Sequence, residues 1–287
     1  MPLDSIAEIL ASCSERNLAF WQVVLEADVE KRQVSAGASF EKMRATWRAM
    51  LDSAESYDGG LRSVSGLSGG DGELMRRYAA GGSALGGGYI SEVIATALCV
   101  GESNACMRKI VAAPTAGACG VLPAVLVPLY RRGEREEDIL RALYTAAGIG
   151  AVINSRASIS GAAGGCQAEI GSASAMAAGA LAQLRGGGPE QTANALAMAL
   201  KNLMGLICDP VAGLVEVPCV KRNVIGAVNA VSCADMALAG ITSRIPADEV
   251  IDCMGIVGER LPREFRETAR GGLAATPTGR AAWKQLK

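Results

Sequence analysis

The chain has 287 residues, half of them apolar, with 28 Lys+Arg against 29 Asp+Glu, a formal charge of −1 and no histidine. Matched charges exclude the basic field that nucleic acid requires and the polybasic segment that anionic lipid requires, while the lack of imidazole removes the usual general base and the usual nitrogen ligand. Nine scattered cysteines, with no charged-then-apolar leader, point to a reducing cytoplasm.

Aromatic residues make up only 4% of the chain, and Ala-, Leu- and Met-rich stretches at helical spacing outnumber alternating β-branched runs. The expected fold is all-α: a single large helical domain over 1–287, with Gly-rich loops converging on one site. Ser5-Ile-Ala-Glu8 has the form of a capping box, and Ile6, Ile9, Leu10 and Cys13 then share a helix face. The Gly- and Ser-rich tract 59–72 reads as a loop, a candidate active-site flap. A second Gly cluster at 79–88 precedes a helical pattern through Val93, Ile94, Ala97 and Leu98. Residues 110–130 form a stretch of 21 without a charge, but Pro114, Pro123, Pro128, Gly117 and Gly120 break a spanning helix, so a buried loop leading into a helix is expected. The charged tract 131–138 reads as a solvated turn. Further helices are expected near Ala168, at Pro189 and at Pro246 with Asp248 and Glu249 in the first turn. The small-residue stretches after Gly171 and Thr192 predict central helices packed closely together.

With histidine absent, thiolate is the main chemical resource. Cys166, Cys208 and Cys219 each adjoin Gly or Pro, which places thiols from separate segments on loops at helix ends. The helix beginning after Cys166, and Lys221 and Arg222 after Cys219, are expected to favour thiolate. Cys13, Cys99, Cys106, Cys233 and Cys253 lie in apolar helical patterns and read as core residues; Cys119, in TAGACG, stays open. No CxxC pair is present, so spacing alone leaves a structural role for the three loop cysteines as a live alternative. The turn from Thr115 to Gly120, running into an apolar segment, has the form of an anion cradle or of a simple buried turn.

The segments APTAGACGVLPAVL (113–126), SISGAAGGCQAEIGSASAMAAGA (158–180) and LKNLMGLICDPVAGLVEVPCVKRN (200–223) resemble the α subunit of iron-sulfur-dependent L-serine dehydratase. The likeness extends through SGGD (68–71), ESNACMRKIVAAPTAG (102–117) and AATPTGR (274–280). It implies that Cys166, Cys208 and Cys219 hold a 4Fe-4S cluster with one iron left open, and that L-serine is converted to pyruvate and ammonia in serine catabolism, a route that supplies gluconeogenesis. It further implies a separate β subunit as partner, because single-chain relatives carry a second domain and some place a C-terminal cysteine on the open iron, whereas this chain ends WKQLK. Thr115, Ala116, Gly117, Lys221, Arg222 and Asn223 are the expected substrate-binding residues. The base that takes the α-proton is unassigned, with Lys109 a weak candidate and the partner subunit the better one. Two other readings compete. One is a pyridoxal-phosphate dehydratase, on the decoys Ser39-Phe-Glu-Lys42 and Gly86–Gly88, which lack the strand–helix alternation of such folds. The other is a non-catalytic iron-sulfur scaffold or electron carrier, which needs a fourth ligand such as Cys119 or Cys233.

Overall fold

The computed structural model describes residues 4–286; Met1 to Leu3 and Lys287, on which the outermost parts of the terminal readings fall, lie outside the described residues. In chain order the helices are α1 (Ile6–Arg16), α2 (Phe20–Arg32), α3 (Ala36–Glu55), α4 (Asp71–Ala80), α5 (Gly87–Ala105), α6 (Val121–Arg131), α7 (Glu136–Arg156), α8 (Gly161–Gly164), α9 (Ser172–Leu184), α10 (Pro189–Asn202), α11 (Cys219–Leu238), α12 (Ala247–Arg260) and α13 (Pro277–Gln285). The described residues contain no strand; one isolated parallel bridge joins Cys208 to Arg266. The all-α expectation therefore holds. No described helix is long and apolar enough to cross a membrane.

Half of the expected capping box forms at α1, where Ser5 Oγ accepts from the Glu8 N–H at 3.1 Å. Asp248, at the start of α12, accepts from the N–H groups of Ile6 and Ala7, each at 2.9 Å. A distant carboxylate thus satisfies amides that a local side chain leaves open, and it docks α1 on α12. Ile6, Ile9 and Cys13 are buried, with Leu10 at their margin.

Helix α9 is the axis of the molecule, buried from Ser172 to Ala182 and packed against α6, α7, α10 and α11. Its small residues permit this. A Cβ at Gly179 would lie 2.3 Å from Ile149 Cδ1 of α7, so any side chain there would force the two helices apart. Where α9 meets α11, Ser174 Oγ donates to the Gly226 carbonyl at 2.7 Å and accepts from Asn229 Nδ2 at 2.9 Å, which leaves neither polar group stranded in the core. The apolar segment 110–130 resolves as a loop, a short 3-10 turn and then α6, whose residues Val121–Pro128 are buried.

Three expectations need correction. The helix expected near Ala168 begins as a π-turn, Gln167–Gly171, that runs into α9. Cys253 is exposed and Cys106 is only half-buried; Cys253 sits on α12 opposite the buried Val250, Ile251 and Met254, and Cys106 is the C-cap of α5. The Gly cluster at 79–88, by contrast, does precede a helix as expected: it spans the end of α4 and the start of α5, on which Val93, Ile94, Ala97 and Leu98 lie.

The 59–72 tract is strapped down rather than loose. The buried Glu102 carboxylate on α5 accepts from Tyr57 Oη at 2.5 Å and from the N–H groups of Asp71 and Gly72 at 2.9 and 3.1 Å. Glu216, also buried, accepts from Ser63 Oγ at 2.6 Å and Ser65 Oγ at 2.5 Å. The second anchor lies just upstream of Cys219, so the tract is fixed beside the start of α11.

Candidate metal centre

Cys166, Cys208 and Cys219 come from three segments that backbone contacts hold together. Gly165, before Cys166, has φ +77°, and a Cβ there would meet Leu261 Cδ1 at 2.6 Å and the Leu206 carbonyl at 3.0 Å; the position requires glycine on both counts. Beyond it, the Gln167 N–H donates to Leu206 O at 2.9 Å, and Gln167 Oε1 accepts from the Gly205 N–H at 2.8 Å. The Cys166 turn is thereby joined to the strip that leads to Cys208. Cys208 is fixed in turn by its N–H to Phe265 O at 2.8 Å and by its carbonyl, which accepts from the Glu267 N–H at 2.9 Å. Cys219 opens α11 immediately after Pro218.

The thiols lie close enough to repel one another as thiolates. Burial pushes Cys166 up to about 11, against the pull of Arg222. Cys219 rises to about 12, first from burial and then from Cys166. Cys208 is raised further, by burial and then by Cys166, Glu169 and Cys219. The thiolate-favouring effect expected from the helix start and from Arg222 is present but smaller than desolvation. In the bare protein the three are neutral thiols.

Arg222 is the pin of the site. Its Nη1 donates to Ile207 O at 2.7 Å, its Nη2 is ion-paired with Asp209 Oδ1 at 2.8 Å, and its positive charge lies near enough to Cys166 to favour the thiolate there. One side chain on the Cys219 helix thus grips both residues that flank Cys208 and sets a cation near Cys166. Asp209 Oδ2 accepts from the Leu273 N–H at 2.8 Å. Lys221, by contrast, reaches outward to Asp71 at 3.0 Å.

The turn carrying Thr115, Ala116 and Gly117 packs against this assembly through Asn223. That buried amide accepts from the Gly120 N–H at 2.8 Å and donates to the carbonyls of Gly117 at 2.8 Å and Cys219 at 2.9 Å. Both of its N–H donors and its carbonyl oxygen are used in holding the turn to the start of α11. The Ala116 carbonyl accepts from Asn104 Nδ2 at 3.1 Å. Lys109 is exposed on the preceding loop. Cys119 is buried with its thiol directed to Val100 O, Cys233 sits among Asn202 and Asn229, and Lys42 is exposed on α3.

Sequence reasoning missed Glu169. It lies in the π-turn three residues after Cys166, and π-turns within helices recur at functional sites. Its Oε1 accepts from Thr115 Oγ1 at 2.6 Å, and its Oε2 faces Cys208 Sγ at 3.9 Å. Burial raises its pKa, and the neighbouring Glu267 adds to the rise. The only signal in the sequence was its position in GCQAEIG.

No three Cys, Asp or Glu side chains among the described residues are arranged to hold a single metal ion. The donor set is nevertheless chemically coherent for a larger group: three thiols, no nitrogen ligand, mutual repulsion on ionisation, and one cation already balanced by Asp209. Such a set would suit a multiply charged soft centre between the sulfurs, of the kind an iron-sulfur cluster supplies. A cleft of about 720 Å³ between α2, α3 and α7 contains none of these residues in its lining.

The fold and site define the class: an all-α protein with a largely buried, histidine-free thiol centre built where three chain segments meet. Residues 15–274 match the family model for the serine dehydratase alpha chain, and the chain belongs to that family. It is 46% identical over 283 residues to the probable L-serine dehydratase alpha chain of Bacillus subtilis, covering 98% of this chain and 94% of that one. It is 40% identical to the L-serine dehydratase alpha chain of Peptoniphilus asaccharolyticus, covering 96% of each. Against L-serine dehydratase TdcG of Escherichia coli it is 48% identical over 62% of this chain and 40% of that protein.

Proposed function

We propose that this chain is the cluster-bearing α subunit of a two-subunit, cytoplasmic L-serine dehydratase, in which Cys166, Cys208 and Cys219 hold a 4Fe-4S cluster and a β subunit completes the enzyme. The observation that carries this reading is the convergence of the three thiols around Arg222. The relatives of matching length are named alpha chains, and the Escherichia coli relative extends well beyond the matched region; both support a partner subunit.

When bound, a cluster with one iron free of protein thiolate supplies a Lewis acid for a poor leaving group, the serine hydroxyl. The chain's own residues then do the rest. Arg222 sets the spacing of the three sulfur-bearing segments and places a positive charge beside Cys166, which stabilises negative charge on the sulfurs. Asn223 fixes the Thr115–Gly117 turn, whose backbone forms one wall of the site and is a candidate cradle for the substrate carboxylate. The strapped 59–72 tract covers the start of α11 and limits access of water from that side.

Iron and acid-labile sulfide should be measured on anaerobically purified chain, alone and with its partner, together with paramagnetic spectra before and after adding serine. Equal iron and sulfide, with spectra that serine perturbs only in the competent complex, is the expected result. Full activity in iron-free protein would overturn the proposal, and a cluster spectrum indifferent to serine would favour an electron carrier.

A further inference from the structure

Glu169 is a partly buried carboxylate without a counter-ion: it forms no ion pair among the described residues. Arg222, the cation that acts on Cys166, is already paired with Asp209 at 2.8 Å. The pocket is shaped to the carboxylate. Gly117 and Gly161 face it, and a Cβ at Gly161 would lie 2.6 Å from Oε2, while one at Gly117 would lie 3.2 Å from Oε1. Thr115 orients Oε1 through its hydroxyl at 2.6 Å. Oε2 has only the weak thiol of Cys208 at 3.9 Å, so it retains accepting capacity. A second acid, Glu267, is exposed and adds negative potential at the same place. Glu169 itself is only half-buried and the neighbouring Ala162 and Ala163 are exposed.

A carboxylate withdrawn from water without a cation is costly, and this one is oriented by a hydroxyl at 2.6 Å in space that two glycines keep clear. The missing cation therefore arrives with the ligand. We propose that Glu169, oriented by Thr115, receives the α-ammonium group of the amino-acid substrate. It thereby selects amino acids over hydroxy acids that present the same hydroxyl and carboxylate. This rests on the reading of the thiol centre as the place where serine binds.

The test uses the complete enzyme, this chain with its partner subunit, under anaerobic conditions. Binding of L-serine and of glycerate, which has a hydroxyl in place of the ammonium, is measured by calorimetry for the parent, Glu169→Gln and Glu169→Asp, with iron and sulfide determined on each sample. Glu169→Gln keeps the shape and the Thr115 contact. It should weaken serine about 30-fold or more, the usual consequence of removing one member of a hydrogen-bonded charge pair. Glycerate should be unaffected, and Glu169→Asp should recover part of the loss. Should the Gln variant lose iron, Thr115→Val takes its place, with a smaller loss confined to serine. Unchanged serine affinity in Glu169→Gln, or an equal loss of both ligands at full iron content, would overturn the inference. Absence of iron from a parent that still needs Glu169 to hold serine would instead overturn the cluster reading and leave this one standing.

Discussion

Arg222 and Asp209 form the ion pair that closes the thiol centre, Nη2 to Oδ1 at 2.8 Å, with side chains only 13% and 2% exposed. The pair joins the helix that begins at Cys219 to the residue after Cys208, so the spacing of two sulfurs depends on it. Removing one partner of a buried pair leaves an uncompensated charge and costs about 3–5 kcal/mol. Arg222→Met should therefore lower the denaturation midpoint substantially and reduce iron content. Replacing both residues, as Arg222→Met with Asp209→Leu, should restore much of the stability without restoring iron. Equal stability of the parent and Arg222→Met in urea titrations would remove the pin from the account.

Cys166→Ala, Cys208→Ala and Cys219→Ala should each lose most of the iron and sulfide found in the parent. Because the bare protein holds these positions as neutral thiols, circular dichroism of the metal-free variants should stay helical. Cys253→Ala, on the exposed face of α12, should retain iron at the parent level and serves as the control. Retention of iron by any one of the three loop variants would show that its sulfur is not a ligand.

The trio of cysteines was readable from the sequence because Gly165, Pro210 and Pro218 mark the chain breaks that place each sulfur at an element's end. The helical class was readable for a similarly local reason, the scarcity of aromatic and alternating β-branched residues. Arg222 was flagged, but its grip on Ile207 and Asp209 depends on two segments meeting in space, which no local pattern records. Glu169 looked like any helical glutamate, since nothing in GCQAEIG announces a π-turn or a carboxylate turned inward. Cys253 failed for the opposite reason: a cysteine amid apolar neighbours has the same pattern whichever side of the helix it occupies.

Gly161 meets the site with its bare Cα. A methyl there would come within 3.0 Å of Cys208 Sγ as well as 2.6 Å of Glu169 Oε2. Gly161→Ala should displace both groups and reduce serine turnover at least tenfold, with a modest cost in stability of about 1–3 kcal/mol for overpacking. The split between the two effects is the informative measurement. A loss of turnover explained wholly by unfolding at the assay temperature would count against a role in shaping the site.

The raised thiols give the metal-free protein a distinctive alkaline response. Well below the ordinary cysteine value of about 8.5, at about pH 7 and under, the cysteines are protonated in both folded and unfolded chains, and the thiols contribute no slope. As pH rises further, the unfolded chain ionises while the folded one keeps its protons, so stability falls progressively. The fall continues until the raised values are passed, about 11 for Cys166 and about 12 for Cys219. Thermal midpoints of metal-free parent and of the Cys166→Ala, Cys208→Ala, Cys219→Ala triple variant should be compared from pH 8 to about pH 10, within that window. The parent should lose stability with the steeper slope, and parallel slopes would mean that the three thiols titrate normally in the fold.

Glu216 links the 59–72 tract to the chain just ahead of Cys219 through Ser63 and Ser65 at 2.6 and 2.5 Å. Replacing both serines by alanine leaves a buried carboxylate without those donors, at a cost of about 1–3 kcal/mol. That cost falls on the attachment of the tract, which meets α11 only near its start, where Asp71 pairs with Lys221 at 3.0 Å, rather than on the α7–α9 core. Amides of the tract should therefore exchange faster and its backbone become sensitive to protease, while amides of α9 keep their protection. Because the Cys219 segment loses its support on one side, iron should also be released faster on exposure to a chelator. Uniform acceleration of exchange throughout the protein would show instead that the strap belongs to the global folding unit.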